Sequence, residues 1–278
     1  MPERRISKGF STNRTSRLLA SAAVAAVLAL SLAGCKTTGD DTTGSIGASA
    51  SAPRSEADWR KAIDVWGARY REDPGNPEAG LRYAQALRAT EQRAQAVAVL
   101  EQASIRNPTD MELLGAYGRA LAEAGDLAKA FDVLSRAHTP DNPDWRILNA
   151  QGAVLDQMGR YAEAQRHYSS ALKIVPNESS VLSNLGLSYA LMKNLKLAEA
   201  TLRRAVAQPN AAPKARQNLA LVVGLQGRFA EAETIARADL PDDEAAANVT
   251  YLRQMLAQQS EWKKPGRKPY VPAPDSGT

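Results

Sequence analysis

Cysteine is almost missing from this chain: Cys35 is the only one among 278 residues. One thiol closes no intramolecular disulfide, and no second ligand stands near it at metal-binding spacing. Histidine is nearly as scarce. His138 and His167 are the only two, and they fall at unrelated positions with no cysteine nearby, so no metal site is expected. A glycine-rich phosphate loop, a Gly-x-Ser-x-Gly elbow and a His-Glu-x-x-His helix are also lacking, so nothing points to an enzyme or a cofactor.

An excess of positive charge is lacking too, once its location is considered. The chain is formally +5, but residues 1–34 carry five bases and one acid, leaving 30 bases against 29 acids in the remainder. A balanced body does not have the electrostatic footprint of a nucleic-acid binder. The leader has a different use. Arg4, Arg5, Lys8, Arg14 and Arg17 precede Leu18 to Gly34, seventeen residues without a charge. A basic segment, a short apolar run and small residues at its end read as a secretory signal. A permanent membrane span needs about twenty apolar residues, and this run is short and rich in alanine. The Arg4-Arg5 pair reads as ordinary leader charge, because the Ile-Ser-Lys that follows does not fit twin-arginine export.

The apolar run ends in Leu32-Ala33-Gly34-Cys35. This tetrad resembles the lipobox of bacterial lipoproteins, in which an aliphatic and two small residues precede a cysteine. The resemblance implies cleavage before Cys35, diacylglyceryl transfer to its sulfur and acylation of the new amine. One acyl chain anchors weakly at about 0.8 kcal/mol per buried CH₂, whereas three anchor in effect permanently. Lys36 stands where aspartate would mark inner-membrane retention in enteric lipoproteins, so by analogy the destination is the outer membrane, facing the periplasm. Residues 35–54 are mostly Thr, Gly, Ser and Ala without an aromatic. They cannot bury enough surface to offset chain entropy, and as a coil of nineteen residues after the cysteine they span about 25 Å. This is a lipidated, flexible tether.

The body repeats with a period of thirty-four. Segments 77–110, 111–144, 145–178, 179–212 and 213–241 carry Ala84, Gly118, Gly152, Gly186 and Ala220 at their eighth place. The twentieth is always alanine: Ala96, Ala130, Ala164, Ala198 and Ala232. The twenty-seventh is Ala103, Ala137, Ala171 and Ala205, then Asp239. This pattern resembles the tetratricopeptide repeat (TPR), an all-α solenoid of antiparallel helix pairs. Small residues at eight and twenty let the paired backbones approach, and Gly125, Gly159, Gly227 and Asn194 suit the left-handed turn between them. Asn76, Asp110 and Asp144 suit helix N-caps, with Pro77 and Pro213 at first helical positions. Residues 55–76 read as an N-terminal capping helix. Residues 242–259 read as a C-terminal one with Val249, Leu252, Met255 and Leu256 inward. Residues 260–278 read as a Pro/Lys-rich disordered tail.

Related arrays bind segments of other proteins in a groove lined by first-helix places two, five, nine, twelve and thirteen. Here the resemblance puts Glu78, Arg88, Arg119 and Glu123 there in the first two units, then Arg146, Asn149, Asp156 and Gln157. The fourth and fifth units supply Leu187, Leu191, Leu221 and Leu225. The Lys-plus-Asn clamp that grips a C-terminal carboxylate in some TPR cochaperones is absent. Either the leucines meet a partner or the capping helix covers them.

A lipobox, a Thr/Ser-rich tether and TPR units together resemble the TadD lipoproteins of the tight-adherence (Flp) pilus system, as does the stretch Ala215 to Leu256. That resemblance implies a role in pilus assembly, supporting the outer-membrane secretin. A pilotin for another pilus, or an adaptor for cell-wall hydrolases, shares the same architecture.

Overall fold

The computed structural model describes residues 55–262, with side chains to residue 258. The leader, Cys35, the tether and the tail after residue 262 lie outside the described residues. Twelve helices and no strand are present among those described: α1 (Glu56–Glu72), α2 (Pro77–Ala89), α3 (Arg93–Arg106), α4 (Met111–Ala124), α5 (Leu127–Arg136), α6 (Trp145–Gln157), α7 (Tyr161–Ile174), α8 (Ser179–Leu191), α9 (Leu195–Val206), α10 (Pro213–Leu225), α11 (Phe229–Ala236) and α12 (Asp242–Trp262). Each packs on the next, and each first helix of a unit also meets the first helix of the following unit. None is long and apolar enough to cross a membrane.

Local chemistry sets the helix ends. Ser55 and Asp58 form a reciprocal capping box on α1. The side chains of Asn76, Asp110 and Asp144 accept from Ala79, Leu113 and Arg146 backbone N–H groups, satisfying donors that the first turn leaves unpaired. Every turn within a unit closes in the same way. The place-fifteen residue is left-handed in all five units: Glu91, Gly125, Gly159, Lys193 and Gly227. The following N–H reaches back to place eleven, as in Asp126 to Leu121 (3.0 Å) and Arg160 to Leu155 (2.8 Å), which is the Schellman closure. The expectation that Asn194 takes the left-handed turn is corrected here. Lys193 takes it, and Asn194 caps α9 through Leu197 N–H.

The small residues do what their spacing required. All five place-twenty alanines are fully buried. A methyl on Gly118, Gly152 or Gly186 would come within 2.6 Å of Leu134, Tyr168 or Leu202, the place-twenty-four side chain of the same unit. Place four meets place twenty-seven. Gly80 lies against Ala103, Leu182 clusters with Ala205, and in the last unit Arg216 pairs with Asp239. Asp239 is therefore one half of a substituted pair. α5 ends early, at Arg136, because Pro140 disfavours helix in the residue before it. α12 runs three residues beyond the expected 259, and buries Ala245, Val249 and Leu252, while Met255 and Leu256 are half-buried.

Candidate functional site

The first helices α2, α4, α6, α8 and α10 carry the expected binding residues, and the structure shows how those residues are engaged. Arg88 Nε on α2 donates to Glu123 Oε2 on α4 at 2.7 Å, bridging the first two units. Asn184 Nδ2 donates to Asn149 Oδ1 at 3.0 Å, and Asn218 Nδ2 to Ser183 Oγ at 2.9 Å, so α6, α8 and α10 are linked by one amide contact at each step. Asp156 accepts from Tyr168 Oη (2.9 Å) on its own unit's second helix and from Ser188 Oγ (2.7 Å) on the next first helix. Burial pushes the Asp156 carboxyl up to about 6, against the opposing pull of those two hydroxyls. Arg119 is half-buried on α4. Arg146 lies exposed over the Trp145 ring at 4.7 Å, and Glu78 and Gln157 are exposed. Four residues of the polar half, Arg88, Glu123, Asn149 and Asp156, thus tie successive units together.

The leucines behave differently. Leu187, Leu191, Leu221 and Leu225 are all half-buried. The core around α8 and α10 is made by Ala190, Leu219, Val222 and Val223, with Tyr189 packed against it, and the four leucines stand outside that cluster. α12 does reach α10, where Leu252 lies so close to Gly224 that a methyl there would be 2.5 Å away. Leu225, the residue after Gly224, stays half-buried.

Two features escaped the sequence reading. His138 and His167, unrelated in register, meet at the joint between the second and third units. The His167 imidazole is held below its ordinary value by burial first and then by His138 and Arg166. The Nδ1 atoms of both rings and Oε1 of nearly inaccessible Gln151 are buried without a hydrogen-bond partner. Only the phase of Phe131, Ser135 and His138, which face the third unit together, hinted at this: Phe131 touches the His167 ring and Ser135 accepts from Gln151 Nε2. No group of three metal-ligand side chains exists among the described residues. The second feature is an ionic network joining the last two units through Glu199, Arg203, Arg228 and Glu231. Burial opposes the Glu199 charge, but hydrogen bonds from Arg228, Gln226 and Arg203 outweigh it and hold the carboxyl down to about 2.

Two family models described as tetratricopeptide repeat match the chain, over residues 54–120 and 149–213. The repeated helix pair, the invariant alanine and the left-handed closure in every unit agree with them. The fold is a TPR α-solenoid. Solved structures with similar TPR architecture include PilW, a type IV pilus biogenesis factor, at TM-score 0.60 and 16% identity, covering 84% of this chain and 98% of that one. The Cut9–Hcn1 hetero-tetramer of APC/C aligns at TM-score 0.60 and 14% identity, over 75% of this chain and 42% of that one. Human IFIT1 aligns at TM-score 0.54 and 18% identity, over 64% and 45%. At these identities the likeness is one of TPR fold. No curated protein sequence matches the chain.

Proposed function

We propose that this chain is a periplasmic TPR scaffold, lipid-anchored to the outer membrane through Cys35, that holds an apolar segment of a pilus-assembly partner. The observation that carries the reading is the row Leu187, Leu191, Leu221 and Leu225, half-buried and outside the core that their neighbours form. Leucines standing clear of their own core offer an apolar anchor to a partner, and exposed apolar patches commonly mark interaction sites. Of the polar residues in the same groove, Arg88, Glu123, Asn149 and Asp156 are engaged within the array, so those four offer a partner less than the leucines do. The resemblance of the lipobox, tether and final repeat to TadD lipoproteins directs the partner reading to the tight-adherence secretin. PilW, whose fold this chain shares over most of its length, is itself a pilus biogenesis factor.

The test is Leu191→Glu with Leu225→Glu in the full chain. Capture of the secretin is expected to be lost while the circular-dichroism melt stays cooperative. A collapsed melt would show that the leucines act as core. Intact capture would place the partner elsewhere. Capture of a type IV rather than a tight-adherence secretin by the wild-type protein would move the reading to the other pilus.

A further inference from the structure

The five units are internal controls for the helix that precedes them. Counted back by the period of thirty-four, α1 is a second helix with Ala62, Val65, Trp66 and Arg69 at places twenty, twenty-three, twenty-four and twenty-seven. In the five units place twenty is 0% exposed and place twenty-four at most 6%. Ala62 and Trp66 are only half-buried, and Val65 is 51% exposed where its counterparts Val99 and Val133 are 8% and 3%. The other units show what α1 lacks. Places twenty and twenty-four pack against the first helix of their own unit, as Ala130 and Leu134 do at Gly118. Place twenty-three looks back to the preceding second helix, as His167 does to Phe131. Among the described residues no helix precedes α1. Residues 43–54, where the period would put its first helix, hold one large apolar side chain, Ile46, which is too little to bury such a face.

The other end of the array has the converse. α12 packs on α11 and α10 as a sixth first helix would, and no second helix follows it among the described residues. One contact sets its register. Place ten of a first helix meets place twelve of the first helix before it, as Ser188 meets Asp156, and Leu252 meets Gly224 in the same way. Thr250 then stands at place eight and Ala246 at place four, where a first helix faces its own second helix. Thr250 is exposed and Ala246 half-buried. Charge agrees with antiparallel pairing of the two ends. α12 opens with exposed Asp242, Asp243 and Glu244, and α1 closes with exposed Arg69 and Arg71.

We propose that the chain associates with itself head to tail, α12 of one copy pairing with α1 of the next to complete a composite sixth TPR unit. In that arrangement Ala62 and Trp66 face Thr250, Arg69 lies at the acidic start of α12, and Val65 looks back to α11. Terminal units that face water carry a polar outer side. α1 instead keeps alanine at the place of closest helix approach and a tryptophan one turn on. The two surfaces differ, so the contact is heterologous and propagates beyond two copies unless a ring closes. One helix pair is a small interface, strengthened where tethers hold copies side by side on a membrane. None of the groove leucines takes part.

The test uses the full chain carrying Cys35→Ser, so that introduced thiols stand alone. Ala62→Cys and Thr250→Cys are made as separate proteins and mixed under a mild oxidant. A disulfide dimer is expected from the mixture and from neither protein by itself. One protein with both thiols should give a ladder of dimers, trimers and longer species. A dimer from Ala62→Cys by itself would overturn the proposal in favour of two α1 faces meeting back to back. No disulfide in the mixture would overturn it in favour of a cap that faces solvent. Without introduced thiols, the sedimentation coefficient should rise with protein concentration, and added salt should reverse the rise. Ala62→Leu should keep the thermal midpoint while raising the concentration for half-association roughly tenfold or more. A midpoint lowered by Ala62→Leu would make the residue core within one chain and overturn the proposal. No assembly partner is present, so the outcome is independent of the partner reading.

Discussion

At the scale of single residues, volume and charge are each decided by one or two neighbours. Gly152 has the Tyr168 ring 2.5 Å from where a methyl would be, and Tyr168 is fully buried with its hydroxyl bonded to Asp156. Gly152→Ala gains about 1 kcal/mol of helix propensity but overpacks a ring that cannot retreat, at about 1–3 kcal/mol. The net expectation is a lower urea midpoint than wild type. Asp156 supplies the pH signature. Its folded carboxyl titrates near 6 against an ordinary 3.8, so the folded state binds the extra proton between those values. Stability from this group is therefore greatest below pH 4, falls as pH rises to about 6, and is level above; two units correspond to on the order of 3 kcal/mol. Asp156→Asn keeps partners for both hydroxyls and should remove that slope. Urea midpoints of both proteins from acid to neutral pH are the check, and a constant difference between them would contradict the assignment.

At the scale of helix pairs, the fifth unit shows how one contact can be solved in two ways. Where earlier units set an apolar or small place-four residue against alanine, α10 sets Arg216 against Asp239, with both guanidinium donors on the carboxylate at 2.6 and 2.5 Å. The Asp239 side chain is only 8% exposed. Removing the arginine alone strands a buried charge at a cost of about 3–5 kcal/mol, whereas replacing both partners with a packed apolar pair is commonly neutral or stabilising. Arg216→Ala should lower the thermal midpoint sharply. Arg216→Leu with Asp239→Ala, the fourth unit's own solution, should restore it to wild type or above. A double mutant as unstable as the single one would mean that the ion pair holds something the repeat pattern does not show.

At the scale of the whole molecule, a solenoid is stabilised by contacts between neighbours, so damage should stay local. α12 covers the end of the array through Ala245, Val249 and Leu252, with Leu252 seated on Gly224. Leu252→Ala leaves a cavity costing about 2–5 kcal/mol. Amide exchange should accelerate in α10 to α12 and remain unchanged in α2 to α5. Uniform acceleration would instead mark a single cooperative unit. The unpartnered Oε1 of Gln151 and the two histidine nitrogens lie between the second and third units, and the ionic network of Glu199 and Arg228 between the fourth and fifth. The joints therefore differ in chemistry although their backbones repeat.

The repeat itself was legible in the amino-acid order, because close approach of two helices tolerates only small side chains and so forces a period. Alanine at place twenty, glycine at three of the turns and the N-caps follow from sterics and hydrogen bonding within a few residues, and the structure has them where the spacing put them. What the tertiary structure alone decided are the contacts between side chains on different helices. Asp156, read as a groove residue, is held by Tyr168 and Ser188; Asp239, read as a break in the pattern, is the partner of Arg216. The left-handed turn of the fourth unit fell on Lys193 and not on Asn194, since closure geometry sets the position whichever residue occupies it. Local preferences act through the chain and can be read along it. Partners across a helix interface are fixed only when packing brings the two faces together.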